Sequence, residues 1–160
     1  MKRIITILHI VYLSTISYAQ SENEFHELIN RSFENHIISI EKLIDDKTVA
    51  NDYLEKIIFV KDNVPSNFEF SRKLRKKYNL QFFNPKDFNR NELRTGIVIF
   101  QMYPLILRND TISITIGNVV FFKKGKKTFL EYGKLDTTTN YKYSCVKKEW
   151  ELMNILNKGI

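Results

Sequence analysis

The chain predicts an α+β fold in which a long N-terminal helix packs on a curved antiparallel β-meander. Three observations carry this reading. Apolar residues recur at helical spacing between Glu24 and Asp45; from Ile97 onward the pattern switches to β-branched and aromatic runs; and the segments between those runs are too short for parallel crossovers. Helices first and short-linked strands afterwards segregate the two kinds of element along the chain, the order of an α+β protein.

The first segment carries an address. Met1-Lys2-Arg3 precedes an apolar run from Ile4 to Ile16, with small residues at Ser17 and Ala19 before Gln20 and the polar Ser21-Glu22-Asn23-Glu24. The apolar run is shorter than the roughly 20 residues of a membrane-spanning helix. The pattern predicts a secretory signal peptide over residues 1–19, cleaved after Ala19, and an extracytoplasmic product that is periplasmic or secreted. The later apolar stretch from Ile97 to Leu107 is broken by Gln101 and Pro104, so no integral membrane association is expected after cleavage. Residues 20–160 are expected to form a single α+β domain, a length that suits one core better than two.

The formal net charge is +7, and two of those charges leave with Lys2 and Arg3, so the mature chain remains basic. A lone cysteine, Cys145, cannot form an internal disulfide, which excludes a disulfide-stapled scaffold and leaves apolar burial to hold the fold.

Phe25, Leu28, Ile29, Phe33, Ile37, Ile40, Leu43 and Ile44 form one helical stripe, and Ser21 stands at capping-box spacing from Glu24. Glu55 to Val60 is a short β-branched and aromatic run closed by Asp62-Asn63-Val64-Pro65, which predicts a strand and a turn. Ser71 to Tyr78 predicts a short basic helix, and Asn84-Pro85 with Gly96 reads as the cap, first turn and stop of another. Strands are then expected at Ile97–Leu107, Thr111–Phe122, Thr128–Tyr132, Asn140–Val146 and Trp150–Leu156, with Gly133 to Thr138 as a loop and Lys147-Lys148 as a two-residue turn. Gly117 interrupts the alternation of Ile112, Ile114 and Ile116, which predicts a bulge that bends the sheet. This order resembles, as architecture, the nuclear-transport-factor-like and cystatin-like folds, a likeness that implies fold and no activity.

No motif names a reaction. With Lys147-Lys148 as the turn, Cys145 pairs with Trp150 and Tyr143 with Leu152 on one apolar face, so Cys145 reads as a small buried hydrophobe rather than a nucleophile. His26 and His36 lie ten residues apart on one helix, about 15 Å of rise, too far to share a metal, and His36 reads as a hydrogen-bonded boundary residue. Asp45, Asp46, Asp62, Asp87 and Glu92 fall in turns or helix ends, where caps and solubility account for them. No catalytic, cofactor-binding or metal-ligating residue is assigned, and no cofactor is expected.

The leading expectation is an exported non-enzymatic domain that binds a protein partner or small ligand. Its candidate surface is the concave face of the sheet, where Phe100, Tyr103, Tyr141, Tyr143 and Trp150 combine apolar bulk with polar tips. A small extracytoplasmic hydrolase is the alternative from another class. A third reading is a binder of anionic polymers, glycan or nucleic acid, through two basic clusters: Arg72, Lys73, Arg75, Lys76 and Lys77, and Lys123, Lys124, Lys126 and Lys127. Tyr78, Phe82 and Phe83 stand near the first cluster as stacking partners, whereas a lysine-rich hairpin tip also serves to discourage edge-to-edge pairing.

The ending Tyr141-Lys142-Tyr143-Ser144-Cys145-Val146-Lys147-Lys148-Glu149-Trp150, with Gly159-Ile160, the Ala19-Gln20 junction and the Lys-, Asn-, Ile- and Phe-rich composition, resembles small exported Bacteroidota proteins of unknown function. The resemblance implies a single exported α+β domain and transfers no catalytic residue. It also implies O-glycosylation motifs of the Asp-Thr type, which Asp110-Thr111-Ile112 and Asp136-Thr137-Thr138 match.

Overall fold

The computed structural model describes the backbone of residues 2–159 and the side chains of residues 23–159, so the predicted cleavage junction lies outside the described side chains. The first element, α1 (Lys2–Asp45), buries Leu28, Ile29, Phe33, Ile37, Ile40 and Leu43, the stripe its spacing predicts. It ends in a Schellman motif: Lys47 takes φ +58°, its N–H donates to the Ile44 carbonyl, and the Thr48 N–H donates to that of Leu43 at 2.8 Å. Among the described residues no helix is long and apolar enough to cross a membrane.

A one-turn 3-10 segment, Asn51–Leu54, leads into strand β1 (Ile57–Phe59). Helix α2 (Arg72–Lys77) follows with Ser71 as its cap, the Ser71 hydroxyl accepting from the Leu74 N–H, and then strand β2 (Leu80–Phe82). The segment from Asn84 to Gly96, expected as one helix, divides into a 3-10 turn at Pro85–Asp87 and helix α3 (Arg90–Thr95). Asn89 starts α3 with a full capping box. Its side chain accepts from the N–H groups of Asn91 and Glu92, and the Glu92 carboxylate accepts from the Asn89 N–H at 2.7 Å. The remaining elements are strands β3 (Ile97–Met102), β4 (Ile106–Arg108), β5 (Thr111–Lys124), β6 (Lys127–Ser144) and β7 (Glu149–Lys158).

Among the described residues all seven strands join one sheet in the order β2-β1-β3-β5-β6-β7, with β4 on β5 beyond the end of β3. The expected meander holds from β3 to β7, where every pairing is antiparallel, but the sheet as a whole is mixed: β1 pairs in parallel with both β2 and β3. The reason is length. Residues 60–79 carry α2 and suffice for a crossover, which the short turns of the second half do not. A second correction concerns Gly133 to Thr138, which is strand rather than loop, so β6 runs unbroken for 18 residues. The sheet is irregular at the predicted place, but the extra residues are on β6: between the pairs Gly117–Asp136 and Val119–Tyr132, Asn118 of β5 stands against Gly133, Lys134 and Leu135.

Each face of the sheet has its own apolar cluster. Phe33 and Ile37 of α1 pack on Ile57, Phe59, Phe100, Met102, Ile114, Ile116 and Tyr141 of the sheet, joined by Phe68, Phe70 and Leu74. Phe33 sits at the centre, with ring centroids 5.2 Å from Phe59 and 4.9 Å from Phe70, pairs worth about 0.5–1.5 kcal/mol each beyond area burial. On the opposite face Ile58, Phe88, Ile97, Ile99, Val119 and Phe121 form a smaller cluster that Leu93 of α3 covers.

Candidate functional site

The concave face is filled by α1. Phe100 and Tyr141, both expected on an open ligand surface, are core residues at 1% and 0% exposure. The Tyr141 hydroxyl lies 3.0 Å from the Ser32 hydroxyl and donates to the Leu28 carbonyl at 3.3 Å. Tyr103 lies instead on the far face beside the bulge, its hydroxyl donating to Asp136 at 3.1 Å. Burial and the neighbouring Asp136 carboxylate push the Tyr103 phenol up to about 12. Tyr143 and Trp150 do meet, centroids 5.3 Å apart, and Trp150 lines a cleft of about 340 Å³ with Phe25, Leu28, Leu105 and Ile112.

Beneath α1 the chain builds a buried polar chain rather than a cavity. The Nε2 of His36 is 2.8 Å from the Asn118 Oδ1 and its Nδ1 is 3.0 Å from the Thr137 Oγ1; Asn118 donates to the Tyr53 hydroxyl, and the Thr137 Oγ1 also lies 2.9 Å from the Asn157 Oδ1. Burial lowers the His36 pKa to about 4, against a smaller upward pull from the Asn118 hydrogen bond. The sequence places His36 at a boundary; the structure places it inside, with both ring nitrogens satisfied. The opening beside it, lined by Ile40, Leu135 and Asp136 among others, measures about 10 Å³ and admits no organic ligand. Thr137 is 2% exposed, so its hydroxyl is withheld from any glycan in the folded chain, whereas Thr111 at the start of β5 is partly exposed.

The basic clusters separate to opposite faces. Helix α2 packs through Leu74 into the cluster under α1, and its cations are drawn to carboxylates: Lys73 to Glu34 at 2.6 Å, Lys77 to Glu41 at 3.2 Å and Arg75 to Glu69 at 3.6 Å. These exposed pairs contribute about 0–1 kcal/mol each to stability, yet they neutralise much of the expected patch. On the other face, Lys123 and Lys124 end β5 just before a two-residue hairpin, Gly125-Lys126, in which Gly125 takes φ +63°, a value that L side chains resist. Their neighbour is α3. Arg90 and Arg94 stand four apart on that helix, hence on one side of it, and together with Leu93, Lys123, Lys124 and Gly125 they line a cleft of about 650 Å³.

Sequence reasoning reached Lys123 and Lys124 and missed Arg90 and Arg94. The signal was available: Asn89-x-x-Glu92 is a capping box, and a helix started there sets both arginines on one side. Among the described residues none of these four cations is within ion-pair distance of a carboxylate. Lys124 instead sits 5.6 Å from the Phe122 ring centroid, and Phe122 stacks on Phe129 across the hairpin.

Cys145 is exposed, not a buried hydrophobe. The β6–β7 connection is a four-residue loop, with Lys148 at φ +55° and its N–H donating to the Ser144 carbonyl, so Trp150 pairs with Tyr143 and Leu152 with Tyr141. Two adjacent lysines are poor hairpin residues because that tight turn needs positive φ, and the chain adopts the longer loop. Among the described residues no three of His, Cys, Asp and Glu are grouped to hold a metal ion. Compared with models of known protein families, with curated proteins and with solved structures, the chain matches none.

Proposed function

We propose that this chain is an exported binding domain that holds an anionic polymer, through its phosphate or sulfate groups, in the cleft between α3 and the β5–β6 hairpin. One observation carries the reading: Arg90, Arg94, Lys123 and Lys124 line a cleft of about 650 Å³ with no ion-pairing carboxylate among the described residues, Lys123 from the α3 face of β5 and Lys124 from its edge beside Phe122. Like charges gathered without counter-charges repel one another, and a bound polyanion relieves that repulsion while releasing its own condensed counterions. Lys126 and Lys127 extend the positive surface past the hairpin tip. Export rests on the sequence of residues 1–19 and is proposed with it.

Heparin chromatography tests the site. The quadruple variant Arg90→Gln, Arg94→Gln, Lys123→Gln, Lys124→Gln is expected to elute at markedly lower salt than the parent. Neutralising Arg72, Lys73, Arg75, Lys76 and Lys77 on α2 is expected to change retention little. Retention that follows α2 instead would overturn the assignment to this cleft.

A further inference from the structure

We infer that β7 is a self-association edge, and that two copies of this chain pair their β7 strands antiparallel to make one continuous sheet. The order of the sheet ends on β7, and among the described residues no strand covers its outer side. Edge strands commonly protect themselves by being short, by proline, or by charges pointing inward. This one is ten residues long, contains no proline, and exposes Leu152, Met153, Ile155 and Leu156; its charges, Glu149, Glu151 and Lys158, lie toward its ends and its one bulge is at Met153.

The occupant follows from the pattern of faces. Tyr141, Thr139 and Thr137 of β6 are buried against α1, so their partners Leu152, Ile155 and Asn157 share the α1 face, and Asn157 confirms it by accepting from Ser39 of α1. Trp150, opposite Tyr143, belongs to the same face. Glu149, Glu151, Asn154, Leu156 and Lys158 oppose the alternate residues of β6 and lie on the other. A regular strand would place Leu152 and Ile155, three apart, on opposite faces. The register shift between Asn140 and Tyr141, which inserts Met153 as an extra residue, brings them to the same one.

With the extra residue Met153 set aside, the faces of β7 are therefore symmetric about Asn154, which would oppose its own copy. An antiparallel partner strand of the same sequence, related by a two-fold axis perpendicular to the sheet, matches it face for face. Leu152 then meets Ile155 of the second copy, Trp150 meets Asn157, and Glu149 meets Lys158, each contact occurring twice. Shifting the register by one residue opposes residues of different faces. Shifting it by two costs the Glu149–Lys158 match. Neither Glu149 nor Lys158 has an ion-pair partner within its own copy among the described residues. Both α1 helices come to lie on one side of the joint sheet.

Sedimentation velocity of the full protein across a concentration series tests this. The parent is expected to sediment as a dimer that dissociates on dilution. Glu149→Lys and Lys158→Glu each place like charges opposite one another twice and are expected to weaken association about tenfold, and the exchange variant carrying both is expected to restore it. Leu152→Glu is expected to be monomeric with the parent's circular dichroism, which separates loss of pairing from loss of fold. A parent monomeric at about 100 μM, or an exchange variant no better than the single reversals, overturns the inference.

Discussion

At neutral pH the imidazole of His36 carries no charge, because α1 and the sheet remove it from water and its partners Asn118 and Thr137 are neutral. The unfolded chain takes up this proton near pH 6.5, the folded one only near 4. Between those values the unfolded state binds more protons, so the stability that is fully present above pH 6.5 is lost as pH falls and levels off below about 4. At 1.36 kcal/mol per pH unit the ceiling is about 3 kcal/mol. Thermal unfolding followed from pH 7 to pH 4 should show this decline in the parent and a visibly shallower one in His36→Gln, since the carboxylates that titrate at the lower end are common to both. Equal slopes would mean that the ring is protonated in the folded state well above pH 4. Cys145 offers the opposite case, a group that the fold leaves in water. A thiol reagent at neutral pH is expected to label it as fast in the native protein as in denaturant, and a native-state lag would put it back among buried residues.

Helix α3 shows how a local sequence signal holds a candidate site in place. Six residues cannot sustain a helix alone, and this one depends on its capping box and on Leu93 resting on the smaller apolar cluster. Asn89→Ala should cost about 1 kcal/mol of stability. It should also loosen Arg90 and Arg94, so its heparin elution should fall without any change of charge. Beside the β6 bulge, a Cβ on Gly117 would run into the Asp136 carboxylate and the Tyr103 hydroxyl. Gly117→Ala is therefore expected to break that hydrogen bond and cost about 1–3 kcal/mol, read by denaturant unfolding. The place of the bulge was legible because a lone glycine followed alternating isoleucines, though not that its extra residues belong to β6, and α1 was legible because its period of three and four ran for twenty residues without a breaker. The continuity of β6 was not, since glycine and aspartate at Gly133 and Asp136 mark turns in isolation. Only the packing of Thr137 and Thr139 under α1 makes that stretch a strand. The ligand surface failed for a related reason: alternation tells which residues share a face, not whether a helix already covers it, and Phe100 and Tyr141 share the covered one.

For the whole molecule, the placement of charge decides more than its total. A net charge of +7 predicts attraction to polyanions in general, but the fold spends three of the α2 cations on Glu34, Glu41 and Glu69. It leaves the group at α3 and the β5–β6 hairpin free. If those four cations carry the contact, association with a single-stranded oligonucleotide must release their counterions, and the slope of log K against log salt should be about −0.7 per phosphate neutralised. Four contacts give a slope near −3, or a loss on the order of 50-fold between 50 and 200 mM salt. Fluorescence anisotropy with a labelled oligonucleotide reads both quantities. Each single neutralisation at Arg90, Arg94, Lys123 or Lys124 is expected to flatten the slope by about 0.7, whereas Lys73→Gln, which frees Glu34 as well as removing a cation, should weaken binding only through net charge and leave the slope unchanged. A slope that falls equally for every lysine and arginine would mean that the protein attracts polyanions as a diffuse positive body. A fall confined to the four cleft residues would mean that the short helix α3, set by its cap against the far face of the sheet, turns general attraction into a site.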